Sequence, residues 1–268
     1  MAIDLAKIQN RLAGLKTTNE KGKHIWKPVK GKSIVRIIPY KHQADNPFVE
    51  LLFHYGVNNK TYLSPSTFNR PDPIVEMSNK LKRGDTDAWK EGKKLEPKMR
   101  VYVPVIVRDH EDEGVRFWGM GKQVYQDILS IIADPDYGDI TDLSNGRDLV
   151  VEFVPAAGPG KFPTTTVRAR PVITKAFDPT NTELRTKVQN QINILELYPE
   201  PTYDELVKAM DEWMNTPENG DAVPASDDEA ETTPVTKTES ATVAAAKKPA
   251  TDAKQVADEF DQLFNVKG

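Results

Sequence analysis

The segment "PKMRVYVPVIVRD", residues 97–109, alternates with a period of two residues. This is the period of a β-strand, because successive side chains of a strand point to opposite faces of the sheet. One face is apolar and consists of Met99, Val101, Val103, Val105 and Val107. The other face has no acid and consists of Lys98, Arg100, Tyr102, Pro104, Ile106 and Arg108. The first face predicts a sheet packed on a core, whereas the second is unlike a surface that meets only water.

The rest of the body is also rich in strand patterns. Alternating or β-branched segments bounded by turn residues predict strands over 33–40, 48–57, 115–120, 147–155 and 164–173. Residues 121–132 place Val124, Ile128 and Ile131 on one face, which predicts a buried helix. The fold class is therefore mainly β with helical extensions. A small closed or partly open barrel is predicted, of which the oligonucleotide-binding (OB) fold is one type.

Less regular segments separate these strands. Residues 58–73 are too rich in Asn and Pro to predict regular structure, and residues 74–95 begin like a helix and end like a basic loop. Two capping-box patterns, Thr180 with Glu183 and Thr202 with Glu205, predict two later helices.

Charge is distributed unevenly along the chain. Residues 1–41 hold ten Lys or Arg and two acids, whereas residues 217–268 hold eleven acids and five lysines. Residues 217–252 have almost no large apolar side chain, which predicts disorder. A basic head and an acidic tail indicate a polyanion binder that carries its own competing anion. Solvated termini of no consequence are the alternative.

Both termini also carry apolar residues at helical spacing. Leu5, Ile8, Leu12 and Leu15 predict a short amphipathic helix that needs a partner surface, since so short a helix is marginal alone. Val256, Phe260 and Leu263 on an acidic background are typical of a partner-binding segment.

Composition limits the compartment and the chemistry. The chain has no cysteine, so it has neither a disulfide nor a thiolate metal site or nucleophile. No apolar run reaches the roughly 18 residues that span a bilayer. Asp4, Lys7 and Arg11 interrupt any signal-peptide core, and we expect a cytoplasmic protein.

Motifs for catalysis are missing. The sequence has no phosphate-binding Gly-rich loop with Lys-Ser/Thr, no nucleophile elbow and no histidine pair at metal spacing. His54 lies within a predicted strand, which is typical of a hydrogen-bonded structural histidine. The acids at 109–113 are interpreted as a solvated hairpin tip rather than a cation site. The sequence predicts a protein that is not an enzyme.

Basic and aromatic residues recur together instead. Thr164, Thr166, Arg168 and Arg170 share one strand face, and Arg116 with Trp118 recur on another strand. Rings can stack on bases for about 1–3 kcal/mol each, and cations neutralise phosphates. Each residue alone could be a core or solvated residue, but the repetition predicts a cleft for single-stranded nucleic acid. The second face of 97–109 is then its floor.

Two segments, "SIVRIIPYKHQADNPFVELLFHYGV" and "VPVIVRDHEDEGVRFWGMGKQVYQDILSII", resemble a known family. They are similar to the first strand pair, and to the hairpin and following helix, of the single-stranded DNA-binding, helix-destabilising protein of T-even-type phages (the gene 32 product family). The basic arm with "LKTT" and the acidic end are similar too. The resemblance implies a five-stranded OB core that coats single strands cooperatively and without sequence dependence. It also implies roles in DNA replication, recombination and repair in the host cell cytoplasm.

The resemblance divides the chain into three parts. Residues 1–20 form an arm for self-association, 21–216 form the DNA-binding core with a subdomain inserted at 58–95, and 217–268 form the acidic tail. The tail recruits phage replication and recombination proteins. The self-association residues are Leu5, Ile8, Arg11, Leu12 and Lys16, and the partner-binding residues of the tail are Asp258, Glu259, Phe260, Leu263 and Phe264.

The candidate DNA-binding residues combine both lines of reasoning. They are Tyr62, Trp89, Lys93, Lys94, Lys98, Arg100, Tyr102, Arg116, Trp118, Lys122, Phe162, Arg168 and Arg170. Trp118 matches an aromatic residue that lines the cleft of the family. The alternatives are a phage structural or interaction protein with a basic barrel and, third, a nuclease, for which no convincing pair of carboxylates is present.

The resemblance also implies a zinc ion, held in the family by one histidine and three cysteines. His54 stands where the histidine would be, but Ser64, Asp72 and Val75 stand nearest to the cysteine positions. A structural zinc needs four good ligands, so we predict that the metal is lost and that the chain has no cofactor. The Pro-rich segment 63–74 and the apolar Ile74, Val75 and Met77 are predicted to stabilise the subdomain instead.

Overall fold

A computed structural model describes residues 21–43, 45–158 and 161–215. The predicted arm helix with its self-association residues, and the tail with its partner-binding end, lie outside the described residues. The strands are β1 (Ile25–Trp26), β2 (Gly31–Ile37), β3 (Val49–Val57), β4 (Lys60–Leu63), β5 (Lys98–Val107), β6 (Val115–Met120), β7 (Arg147–Val154) and β8 (Thr164–Ile173). The helices are α1 (Pro73–Leu81), α2 (Thr86–Lys94), α3 (Lys122–Ala133), α4 (Thr182–Gln189), α5 (Ile194–Leu197) and α6 (Tyr203–Asn215). None of these helices is long and apolar enough to cross a membrane.

One mixed sheet contains all of these strands. Its main path runs β1-β6-β5-β2-β7-β8, and β3 pairs with both β4 and β5. The β1–β6 pair is parallel and the other pairs are antiparallel. In the described part of the chain β1 and β8 do not pair with each other, so this ladder does not close into a barrel. The mainly β fold with helical extensions is confirmed at this level.

The inward face of β5 lies in the main core, as its alternation predicts. Val101, Val103 and Val105 are fully buried, and they pack in one cluster with residues of β2 and β7 and with Ile128 of α3. The predicted helix over 121–132 is therefore confirmed, with Val124 and Ile128 buried and Ile131 partly buried.

The outward face of β5 is not an open floor, and that prediction is wrong. Tyr102 packs with Phe53, Phe117 and residues of α5, whereas Ile106 packs with Leu184 of α4. The C-terminal helices α4 and α5 therefore cover this face. Alternation in a sequence shows that a strand has two faces, but it does not show which later segment covers the second one.

The inserted segment between β3 and β5 is more regular than its composition predicts. It contains β4, a 3₁₀ turn over Pro65–Phe68, and α1 and α2. The predicted basic loop is helix α2, which Asp85 caps by accepting from the Ala88 N–H at 2.9 Å. Helix α6 packs on the subdomain and shares a core with it, through Leu206 and Met210 against Val57 and Ile74.

One of the two predicted capping boxes is present. The carboxylate of Glu205 accepts from the Thr202 N–H at 2.8 Å, and the Thr202 hydroxyl accepts from the Glu205 N–H at 3.3 Å. The other is wrong, because Asn181 rather than Thr180 caps α4, by accepting from the Leu184 N–H at 2.9 Å. Thr180 and Asn181 are adjacent in the sequence, and the Asn181 side chain occupies the N-cap position.

Candidate nucleic-acid interface

The two aromatic residues predicted to line the cleft are buried. Tyr102 is 1% exposed, and its hydroxyl donates to the Tyr198 hydroxyl at 2.9 Å. Trp118 is also 1% exposed and meets Trp26 edge-on, with ring centroids 5.5 Å apart. Because both residues are buried, neither ring offers a face on which a base can stack.

Two of the predicted cations lie within the sheet rather than at an open cleft. Arg100 lies opposite Leu51 of β3 and is buried. Arg116 donates to the Ile25 carbonyl at 2.8 Å and forms an ion pair with Glu113, so it fastens β1 to β6. Lys98 and Lys122 are exposed, at the first positions of β5 and α3.

The candidates in the inserted subdomain lie in two environments. Tyr62 is half-buried against the core shared with α6, and burial raises the pKa of its hydroxyl above the ordinary value. Trp89 is 45% exposed on α2, with the Lys93 Nζ 5.6 Å from its ring centroid. Lys93 and Lys94 are exposed but paired with Glu96 and Glu91, which reduces the positive charge that they present.

The remaining candidates lie on the outward face of β8 and on the connection that leads into it. Thr164, Thr166 and Arg168 are exposed along β8, as the alternation predicts, and Phe162 just before the strand is 54% exposed. Within the described residues, neither Arg168 nor Lys161 pairs with a carboxylate. This surface is called the basic patch, and it consists of Lys32, Lys161, Phe162, Thr164, Thr166, Arg168 and Arg170.

The strand register adds β2 to the basic patch. Lys32 of β2 pairs with Glu152 of β7, which in turn pairs with Thr166 of β8, so the three side chains share one face. The sequence reasoning did not select Lys32, or the exposed Lys30 beside it, although both belong to the basic head. The signal that could have found Lys32 is the alternation of its strand, which places it on the face opposite the buried Ser33, Val35 and Ile37.

A buried charge cluster lies at one end of the basic patch. Asp148 of β7 accepts from Arg108 at 2.8 Å, and the Arg36 Nε lies 3.4 Å from the same carboxylate. Burial alone would lower the pKa of Arg108, but hydrogen bonds to Asp148 and Glu111 raise it above its ordinary value. Arg170, with a side chain 43% exposed, lies 4.0 Å from the shared Asp148. Arg170 is the most distant of these three arginines from Asp148, so it is the most weakly paired of them.

A second buried polar cluster lies in the inserted subdomain, away from the basic patch. His54 is fully buried, with Nδ1 2.9 Å from the Leu95 carbonyl oxygen and Nε2 2.9 Å from Asp72 Oδ2. Ser64 donates to the same carboxylate, and Asp72 also caps α1 by accepting from the Ile74 N–H at 3.0 Å. The prediction that His54 is a hydrogen-bonded structural residue is confirmed.

This cluster does not fit the zinc that the family resemblance implies. Both ring nitrogens of His54 lie 2.9 Å from oxygen atoms of the protein, so both are already engaged in hydrogen bonds and neither is free for a metal. Ser64 and Asp72 are engaged with each other, and the Val75 side chain has no donor atom. No group of three or more potential metal-ligating side chains occurs within the residues that the structure describes.

A sheet face with exposed cations, hydroxyls and a neighbouring exposed ring is typical of proteins that bind single-stranded nucleic acid. A family model described as "gp32 DNA binding protein like" matches residues 29–214 of this chain. The chain belongs to this family of gene 32-type single-stranded DNA-binding proteins. The match covers every described strand except β1 and includes the inserted subdomain. No curated protein matches the chain.

Proposed function

We propose that the chain binds single-stranded DNA without sequence dependence, through the basic patch. The observation that carries this proposal is the common outward face of β2 and β8, on which Lys32, Thr166 and Arg168 are exposed beside Phe162. Cations there neutralise phosphates and release counterions, and the exposed ring stacks on a base. Duplex DNA hides its base faces, so it would use the cations alone.

The terminal segments extend this proposal. Residues 1–20 mediate cooperative self-association along the strand, through the apolar face of Leu5, Ile8 and Leu12. The acidic tail binds replication and recombination proteins through its end around Phe260. The protein then acts in phage DNA replication, recombination and repair in the host cytoplasm. Family membership and the charge distribution of the chain support this role.

The proposal includes no enzymatic activity and no metal. We propose that the core is a partly open barrel of the OB type, since its ladder does not close in the described part of the chain, and that the inserted subdomain folds without zinc. The hydrogen bonds of His54 and Asp72 support the latter point, since they use the atoms that a metal would need. The apolar core shared with α6 provides the rest of the stabilisation.

The test is a titration of the full-length protein with single-stranded and duplex oligonucleotides at several salt concentrations. Single strands should bind more tightly, and the slope of log K against log salt should be about −0.7 for each phosphate neutralised. Arg168→Ala should make that slope shallower by about 0.7. Phe162→Ala should cost about 1–3 kcal/mol of binding free energy and leave the slope unchanged.

Two exposed residues on other elements serve as matched controls. Arg185→Ala on α4 removes an exposed arginine, and Met214→Ala on α6 removes a side chain that is 50% exposed. Neither should change affinity or slope. A flat salt response, or equal losses from Arg185→Ala and Arg168→Ala, would contradict the basic patch as the binding site. Absence of DNA binding would favour the alternative of a structural or interaction protein.

A further inference from the structure

The basic patch contains one exposed acid at its centre. Glu152 of β7 lies in register between Lys32 of β2 and Thr166 of β8. Its side chain is 39% exposed, and the Lys32 Nζ lies 4.0 Å away on a side chain that is 57% exposed. The other acid among the described outward residues of β2, β7 and β8 is Asp148, which is buried and held by arginines. Glu152 therefore faces the proposed ligand while Asp148 does not.

An exposed carboxylate weakens the binding of phosphates nearby. Two unit charges of the same sign repel each other over a few ångströms even near a protein surface. Glu152 therefore opposes the attraction of phosphates by Lys32 and Arg168. Nucleic acid also carries groups that a carboxylate attracts, namely the N–H donors of the bases. The position of Glu152 within the patch decides which part of the strand it meets.

The register of the sheet gives that position. Outward residues of β8 follow each other at intervals of about 6.8 Å, with Thr164, Thr166 and Arg168 offering two hydroxyls and a guanidinium. In the proposed function these groups bind phosphates, which places the backbone of a bound strand along β8. In the described part of the chain β8 is the last strand of the sheet and pairs with β7, about 4.8 Å away, so bases that stay in contact with the sheet extend over the outward residues of β7. Those residues are Val150, Glu152 and Val154, of which two are apolar.

We propose that Glu152 accepts a hydrogen bond from the exocyclic amino group of a bound base. This inference rests on the proposed function, and it adds a base preference to binding that otherwise tolerates any sequence. Cytosine carries an amino group at the position where thymine carries a carbonyl oxygen. A carboxylate accepts from the amino group and is repelled by the oxygen, so the site favours cytosine over thymine. Adenine and guanine also carry amino groups.

The experiment compares oligo-dC with oligo-dT of equal length, bound by the full-length protein at neutral pH. These two oligonucleotides have the same backbone and similar ring size, so their affinity ratio isolates the exchange of amino group for oxygen. Glu152→Gln should reduce the preference for dC over dT by about fivefold. It should also tighten the binding of dT, because the repulsion of phosphates is lost.

The matched control is Glu183→Gln on α4. Glu183 is also exposed and paired with a lysine, Lys187 at 2.8 Å, so the change removes the same charge elsewhere and should leave the ratio unchanged. Equal tightening of dC and dT by Glu152→Gln would show that the carboxylate acts by charge alone, and would overturn the base contact. If the wild-type protein bound neither oligonucleotide, the proposed function itself would be wrong, and this inference with it.

Discussion

The His54–Asp72 contact joins four separated parts of the chain through two buried side chains. His54 belongs to β3, Asp72 caps α1, Ser64 follows β4, and the Leu95 carbonyl follows α2. The imidazole lies between the Leu95 carbonyl oxygen and the Asp72 carboxylate, so each of its ring nitrogens has a hydrogen-bond partner. Removing one partner of a buried ion pair leaves the other charge uncompensated, which costs about 3–5 kcal/mol. The subdomain is therefore expected to depend on this contact.

We predict that Asp72→Asn lowers the free energy of unfolding by about 3–5 kcal/mol. The amide keeps the size of the side chain and its ability to cap α1, so the loss reports on the charge and its hydrogen bonds. Denaturant unfolding of both proteins at pH 7 measures this difference. Asp85→Asn, which changes the exposed cap of α2, should cost little because Asn caps as well as Asp.

The same variant tests the pH dependence. Burial alone would raise the pKa of Asp72, but hydrogen bonds from His54 and Ser64 lower it below its ordinary value of 3.8. A carboxyl with a lowered pKa contributes stability that is fully present above 3.8 and is lost as the pH falls through the folded-state pKa. The difference in the free energy of unfolding between the wild type and Asp72→Asn should therefore become smaller below about pH 4. A constant deficit down to pH 2, or unfolding of the wild type by a chelator at pH 7, would contradict this account.

At this scale the sequence predicted exposure along β8 but not the burial of the aromatic residues. Thr166 and Arg168 alternate with apolar residues, and that pattern alone determines which side of an edge strand faces water. Trp118 and Tyr102 also alternate with apolar residues, yet their strands are central and covered on both sides. Their covers come from Trp26 and from α5, which are distant in sequence, so no local pattern could reveal them.

At the scale of elements, strands with long alternating runs were predictable and short ones were not. Strand β1 has two residues and β4 has four, so neither is long enough for a period to be recognised. They form because a neighbour is available: β1 lies beside β6, where Arg116 fastens it, and β4 folds back on β3. Asn58 and Asn59 form the turn between β3 and β4, with φ of 53° and 56°. Two adjacent Asn residues are a hairpin signal that was visible in the sequence.

The N-terminal segment carries the element-scale prediction. Deleting residues 1–18 should abolish cooperative binding to long single strands while leaving the affinity for a short oligonucleotide largely intact. The reason is that the basic patch uses residues from Lys32 onward, whereas Leu5, Ile8 and Leu12 lie well before it. The steepness of a titration with a long strand measures cooperativity. A titration with a short oligonucleotide measures the affinity of a single protein for DNA.

A point variant makes this test sharper. Ile8→Asp places a charge on the predicted apolar face and should reduce cooperativity as the deletion does, whereas Gln9→Asp places the same charge one residue away and should not. If the deleted protein still coated long strands in an all-or-none manner, cooperativity would have to arise from the core.

At the scale of the whole molecule, positive and negative charge are concentrated in different parts of the chain. The described core exposes cations on the basic patch, and residues 217–268 carry a net charge of −6. A tethered segment of this kind reaches an effective concentration in the mM range for short flexible linkers, and less for long ones. Attraction between exposed charges is screened over about 10 Å at 0.1 M salt, so the competition should be weak at that salt concentration and stronger below it.

Removing residues 217–268 should therefore tighten binding to single-stranded DNA, most clearly at low salt, and should help the protein to melt duplex DNA. It should also eliminate the binding of replication partners, because "DEFDQLF" is lost with the tail. Affinities of the full chain and of residues 1–216, measured at three salt concentrations, give the size of the competition. A full-length control in which Asp221, Asp227 and Asp228 become Asn keeps the length of the segment and its proposed partner-binding end but removes charge. The affinity of that control for DNA should fall between those of the full chain and of residues 1–216, because the competition depends on the charge of the segment rather than on its length. Equal affinities of all three proteins at low salt would show that the tail is only a tether.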